Sequence, residues 1–186
     1  TNGLSDSAGV PQEVAALTLV VPLDDEEAVR AAFREHGPRI ACAIIEPMPA
    51  NNGLLLQRDE FLKVLREECD KAGSLLIFDE VISGFRVRFG GWSHESGVRP
   101  DLTTLGKIVG GGMPVGAFLG RREHMEQLAP LGPVYQAGTL SGNPIAMAAG
   151  RACLDELASG AAYHRLEQLE AALDRRFEKV AKKIPW

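Results

Sequence analysis

Two rhythms of apolar residues organise the chain. In residues 40–47 (IACAIIEP) and 75–81 (LLIFDEV) the apolar positions are contiguous and of strand length. Runs of this kind suit parallel strands covered on both faces. Between them, residues 59–72 place Phe61, Leu62, Leu65 and Cys69 on one side of a helix, and Gly73 supplies its stop. Upstream, residues 16–23 (ALTLVVPL) predict a strand. Asp24 predicts a helix cap, with Glu27 three residues on as in a capping box. Val29, Ala32 and Phe33 give that helix its apolar face, and Gly37-Pro38 ends it. The alternation of strand, helix and strand predicts an α/β fold: a mostly parallel sheet flanked by helices and joined by right-handed crossovers.

Beyond Val81 the pattern thins. Residues 89–120 are dense in glycine and carry little strand signal apart from VGAFLG, residues 115–120. Asn143-Pro144 then opens a helix, with Asn as cap and Pro in the first turn. A last helix carries Leu166, Leu169, Leu173, Phe177 and Val180 at helical spacing. The change near residues 158–160 predicts a boundary between a domain of residues 1–157 and the start of another at 158–186.

Composition narrows the picture. The chain has 186 residues, 45% of them hydrophobic, enough for one domain with a core. A net charge of -5 with no basic block argues against nucleic-acid binding. No apolar run is long enough to span a membrane. The first residues lack the basic-then-apolar order of a signal peptide, and Thr1 stands where a Met would start a gene product. A cytoplasmic piece of a longer protein is the expectation. Three widely spaced cysteines predict free thiols, with Cys42 and Cys69 buried in apolar settings. The four histidines share no metal-ligand spacing, and no metal site is predicted.

The chemistry concentrates at two points. Asp79 and Glu80 end an apolar strand, where ligands of α/β sheets gather. A buried carboxylate needs a partner. Lys107 lies in TTLGKIVGGGMPVG, with glycines before and after it. A lysine in a solvated loop is the ordinary reading. A phosphate-binding P-loop is excluded, because Asp101 stands where its first glycine is required and Ile108 where Ser or Thr must follow the lysine. A lysine can also form a Schiff base with a carbonyl cofactor. Pyridoxal phosphate is held in this way, with an acid opposite its ring nitrogen. A pyridinium N–H would then be the partner that Asp79 requires.

Three segments, DEVISGFRV, GVRPDLTTLGKIVGGGMPVGAFLG and GPVYQAGTLSGNPIAMAAG, occur in order, with Lys107 28 residues after Asp79. Together they resemble the class III aminotransferases of pyridoxal-phosphate fold type I, and within these the aminomutase branch. The resemblance implies part of the fold type I large domain. It also implies that Asp79 pairs with the pyridine nitrogen, Val81 packs against the ring, and Lys107 forms the Schiff base and moves protons. Asn51 matches an asparagine near the ring hydroxyl. Gly138 and Thr139 match the segment that reaches the cofactor phosphate of the neighbouring subunit, so a homodimer is implied. Glu46, Glu80, Arg86 and Arg88 receive no assigned role; the two acids read as structural.

The implied activity is the isomerisation of a small amino-aldehyde, glutamate 1-semialdehyde, to 5-aminolevulinate for tetrapyrrole synthesis, with pyridoxal or pyridoxamine phosphate as cofactor. Another amine substrate, or a non-catalytic module of the same fold, stays open. Members of the family are more than twice this length. The turn that holds the phosphate within the subunit, the aromatic residue that stacks on the ring, and most of a small domain have no counterpart here. Weak cofactor binding by these residues alone is therefore expected.

Overall fold

The computed structural model describes residues 7–184, so the first six residues, weighed above as a leader, lie outside the described part. In chain order the elements are α1 (Gln12–Ala15), α2 (Glu26–His36), β1 (Cys42–Ile45), α3 (Asp59–Ala72), β2 (Leu75–Glu80), α4 (Ser93–Ser96), β3 (Leu102–Leu105), β4 (Ala117–Gly120), α5 (Arg122–Met125), α6 (Pro144–Ala158) and α7 (Ala161–Ala181). Short 3-10 turns occupy Gly37–Arg39 and Lys107–Gly110. The sheet order is β1-β2-β3-β4, with the first three strands parallel and β4 antiparallel to β3.

Burial alternates along β2, as the pleat demands. Leu76, Phe78 and Glu80 are buried, whereas Leu75, Ile77 and Asp79 are only half-buried. Leu76, Phe78 and Ile45 form one core with Val29 of α2 and with Phe61, Leu62, Leu65 and Cys69 of α3. The helix over residues 59–72 has the predicted bounds because its apolar positions share one face. Gly73 ends it at φ 71°, donating its N–H back to the Asp70 and Cys69 carbonyls. Burial among these side chains pushes the Cys69 thiol up to about 11.

Several expectations need correction. Residues 16–23 form no strand: Leu17, Leu19, Val20 and Leu23 are exposed, and no strand among the described residues pairs with them. β propensity without a neighbouring strand yields no ladder. Asp25, not Asp24, caps α2, accepting from the Ala28 N–H at 2.9 Å. Asp24 adopts φ 57° and instead accepts from the Arg58 N–H at 3.0 Å, joining the two helix starts. β1 is shorter than its apolar run, and Ile44 is exposed, so both faces are not covered. Cys42 is exposed for the same reason. β3, sequence LTTL, is hidden among glycines and prolines; its β-branched threonines are the signal. It lies between β2 and β4.

A buried polar anchor holds the amino-terminal ends of the strands. Asp101 accepts from the Leu76 N–H at 2.8 Å, from Arg66 Nη1 at 2.8 Å and from Arg121 Nη2 at 2.6 Å. Burial alone would raise its carboxyl, but these donors hold it below the usual aspartate value.

Candidate active site

The opposite, carboxyl edge of the parallel strands gathers the reactive groups. Asp79 lies level with Thr104 of β3. Its Oδ1 accepts from the Val81 N–H at 3.1 Å and from the Thr104 hydroxyl at 3.3 Å. Asp79 Oδ2 receives no hydrogen bond among the described residues. The carboxylate is thus oriented by one oxygen and available through the other. On the far side of Asp79, Glu46 directly follows β1, next in line after the Ile45–Phe78 pair. Its Oε2 is buried without a hydrogen-bond partner among the described residues.

Lys107 stands two residues past the end of β3. Gly106 is extended, and Lys107 then turns to φ 48° to open the 3-10 turn. Left-handed backbone at a residue with a Cβ costs about 1–2 kcal/mol, so packing must hold it. Gly106 lies so close to Val81 that a Cβ there would meet Val81 Cγ1 at 3.0 Å. Val81 therefore links the Asp79 strand to the Lys107 turn. Lys107 is exposed and makes no ion pair among the described residues.

The other candidates are placed less closely. Asn143 Oδ1 caps α6, accepting from the N–H groups of Ile145 and Ala146 at 3.0 and 3.2 Å. The loop before this cap carries Gly138 and Thr139, both exposed. Gly138 lines an open cavity of about 710 Å³ together with Val109 of the lysine turn and Ala146 and Gly150 of α6. Asn51 sits exposed in the turn after β1, and no hydrogen bond among the described residues joins it to Asp79 or Lys107.

Glu80 faces the other side of the sheet. Burial raises its carboxyl above the usual glutamate value, while the Trp92 N–H at 2.7 Å and the Ser83 hydroxyl at 3.3 Å pull the other way. It is a buried acid that ties down the loop after β2. Arg86 donates to the Ile82 carbonyl at 2.7 Å and Arg88 to Glu95 at 2.6 Å. Sequence reasoning missed Thr104, which orients Asp79. Among the described residues, no group of three or more His, Cys, Asp or Glu side chains could hold a metal ion. Nor is any helix among them long and apolar enough to cross a membrane.

The donor set suits a protonated heterocycle bearing an aldehyde. One carboxylate oxygen is open to a donor, Val81 follows two residues on, and a lysine opens the turn after the neighbouring strand. The sheet and its helices have the fold of the fold type I aminotransferases, and solved structures of these enzymes share it. One, a transaminase with PLP bound, is 38% identical with a TM-score of 0.76, covering 81% of this chain and 36% of that one. The family model for class-III aminotransferases matches residues 7–185, and the chain belongs to that family. It is 57% identical over 183 residues to the glutamate-1-semialdehyde 2,1-aminomutase of Akkermansia muciniphila, covering 98% of this chain and 43% of that protein. To the same-named protein of Pyrobaculum aerophilum it is 53% identical over 184 residues, 99% of this chain and 44% of that protein. The chain thus spans less than half the length of these relatives.

Proposed function

We propose that this chain carries the lysine and aspartate of a pyridoxal-phosphate-dependent aminomutase that converts glutamate 1-semialdehyde to 5-aminolevulinate. The observation that carries the reading is the pairing of an oriented Asp79, with Oδ2 left open, and Lys107 at the ends of adjacent parallel strands, bridged by Val81. The names of the relatives support the substrate, and the PLP-bound neighbour supports the cofactor.

Bound pyridoxal or pyridoxamine phosphate would supply an electron sink for the carbon that exchanges its amine. Asp79 Oδ2 would accept from the ring N–H in a charge-assisted bond and keep that nitrogen protonated. Val81 would support one ring face. The Lys107 amine would hold the cofactor and give or take the proton at each substrate carbon as that carbon exchanges its amine. Asn51 would approach the ring hydroxyl. The Gly138 N–H and the Thr139 hydroxyl would donate to the phosphate of the neighbouring subunit's cofactor in a homodimer. Residues 158–186 would begin the second domain, and the enzyme would work in the cytoplasm.

The test is turnover by the full-length enzyme with the amino-aldehyde alone. An aminomutase needs no added amino acceptor. A strict requirement for a keto acid identifies a different class III aminotransferase.

A further inference from the structure

We propose that Gly111 and Gly150 are positioning residues for Lys107, seating the lysine turn directly on the backbone of α6. The proposal rests on the cofactor reading above. The turn Lys107–Gly110 packs against α6. A Cβ on Gly150 would overlap the carbonyl oxygen of Val109, within that turn. From the other side, a Cβ on Gly111 would overlap the Ala149 carbonyl oxygen of α6 and lie 2.8 Å from its carbon. Two backbones therefore meet where neither can carry a side chain. Interlocking of this kind occurs on both sides of one contact, and Gly110 and Gly150 are buried in it.

Lys107 explains the need. Its φ of 48° is unfavourable for a residue with a side chain. Such strain persists only where the surroundings over-determine it. The Gly106–Val81 contact holds the front of the turn, and the Gly111–Gly150 seat holds its back. A methyl group in the seat separates turn from helix and lets Lys107 relax, which swings its amine away from the Asp79 edge. A displacement on the order of 1 Å at a reacting group costs about 100-fold in rate.

The experiment uses the full-length enzyme and three variants, Gly111→Ala, Gly150→Ala and Gly112→Ala. Gly112 has φ 90°, and a Cβ placed on it would meet nothing within 4 Å, so its substitution strains the backbone without pressing on α6. Each is read by the melting temperature of the cofactor-free protein, the pH midpoint of the bound cofactor's visible absorbance, and the rate of borohydride-fixable labelling at Lys107. Gly111→Ala and Gly150→Ala are expected to move the midpoint by about one unit and slow labelling at least roughly tenfold, with Gly112→Ala close to wild type. Gly111 and Gly150 press on the contact from opposite sides, so whichever variant folds answers the question. Wild-type midpoints in folded Gly111→Ala protein, or an equal shift in Gly112→Ala, overturn the seat. Absence of label on wild-type Lys107 instead overturns the cofactor reading, so the two failures are distinct.

Discussion

The two oxygens of Asp79 have different surroundings. Oδ1 is engaged by Val81 and Thr104, which fixes the direction of Oδ2. Asp79→Asn keeps the shape and removes the charge, so the proposed charge-assisted bond to the ring nitrogen would lose about 1.5–3 kcal/mol. Cofactor affinity of the full-length enzyme is expected to fall roughly 10- to 100-fold, measured by absorbance titration. Unchanged affinity would detach Asp79 from the cofactor. Asp101 gives a second prediction at this scale. Its carboxyl titrates lower in the folded than in the unfolded chain. Its stabilising contribution is therefore present above the ordinary aspartate range and is lost as pH falls through the folded value. Asp101→Asn is expected to cost about 3 kcal/mol near neutral pH, with the gap to wild type closing on acidification in urea melts. The positions of Asp79 at a strand end and Lys107 in a glycine-flanked turn were legible in the sequence because each sits in a distinctive string. Thr104 was not, because its partner is set by strand register rather than by neighbours in the chain.

Among the elements, β2 and α3 dominate the core. Phe61 of α3 and Phe78 of β2 are fully buried in one cluster. Phe78→Ala is expected to destabilise the fold by about 3–5 kcal/mol, whereas Ile44→Ala, on the uncovered face of β1, is expected to change it by less than about 0.5 kcal/mol. Denaturant unfolding of the 186-residue chain checks both, and an equal loss at the two positions would contradict the assignment of faces. The bounds of α3 could be read from sequence because its apolar spacing and Gly73 agree. Residues 16–23 show the limit of such reading. Apolar residues there find no strand to pair with, and local propensity gives way to tertiary context. β3 shows the converse: weak local signal, with a central place won by pairing on both sides.

At the scale of the molecule, much apolar surface is uncovered. Leu17, Ile44, Leu140, Ile145 and Phe177 are all well exposed, and Leu166, Leu169, Leu173 and Val180 of α7 are exposed too, while Tyr163 is buried and its hydroxyl donates to the Phe85 carbonyl at 2.9 Å. Large exposed apolar areas drive association. The isolated chain is expected to self-associate in sedimentation and to bind pyridoxal phosphate far more weakly than the full-length enzyme. Tight stoichiometric binding by these 186 residues alone would contradict this. The family length against which the chain is short was legible from its motifs, but the exposure of these apolar residues was not, since apolar spacing alone does not say which face is covered.

One measurement tests the central claim most directly. The full-length enzyme is loaded with pyridoxal phosphate, reduced with borohydride, digested and mapped by mass. The label is expected on the peptide bearing Lys107 and absent from Lys107→Ala. Label on another lysine, or none in the wild type, would contradict the proposal that Lys107 is the cofactor-binding lysine.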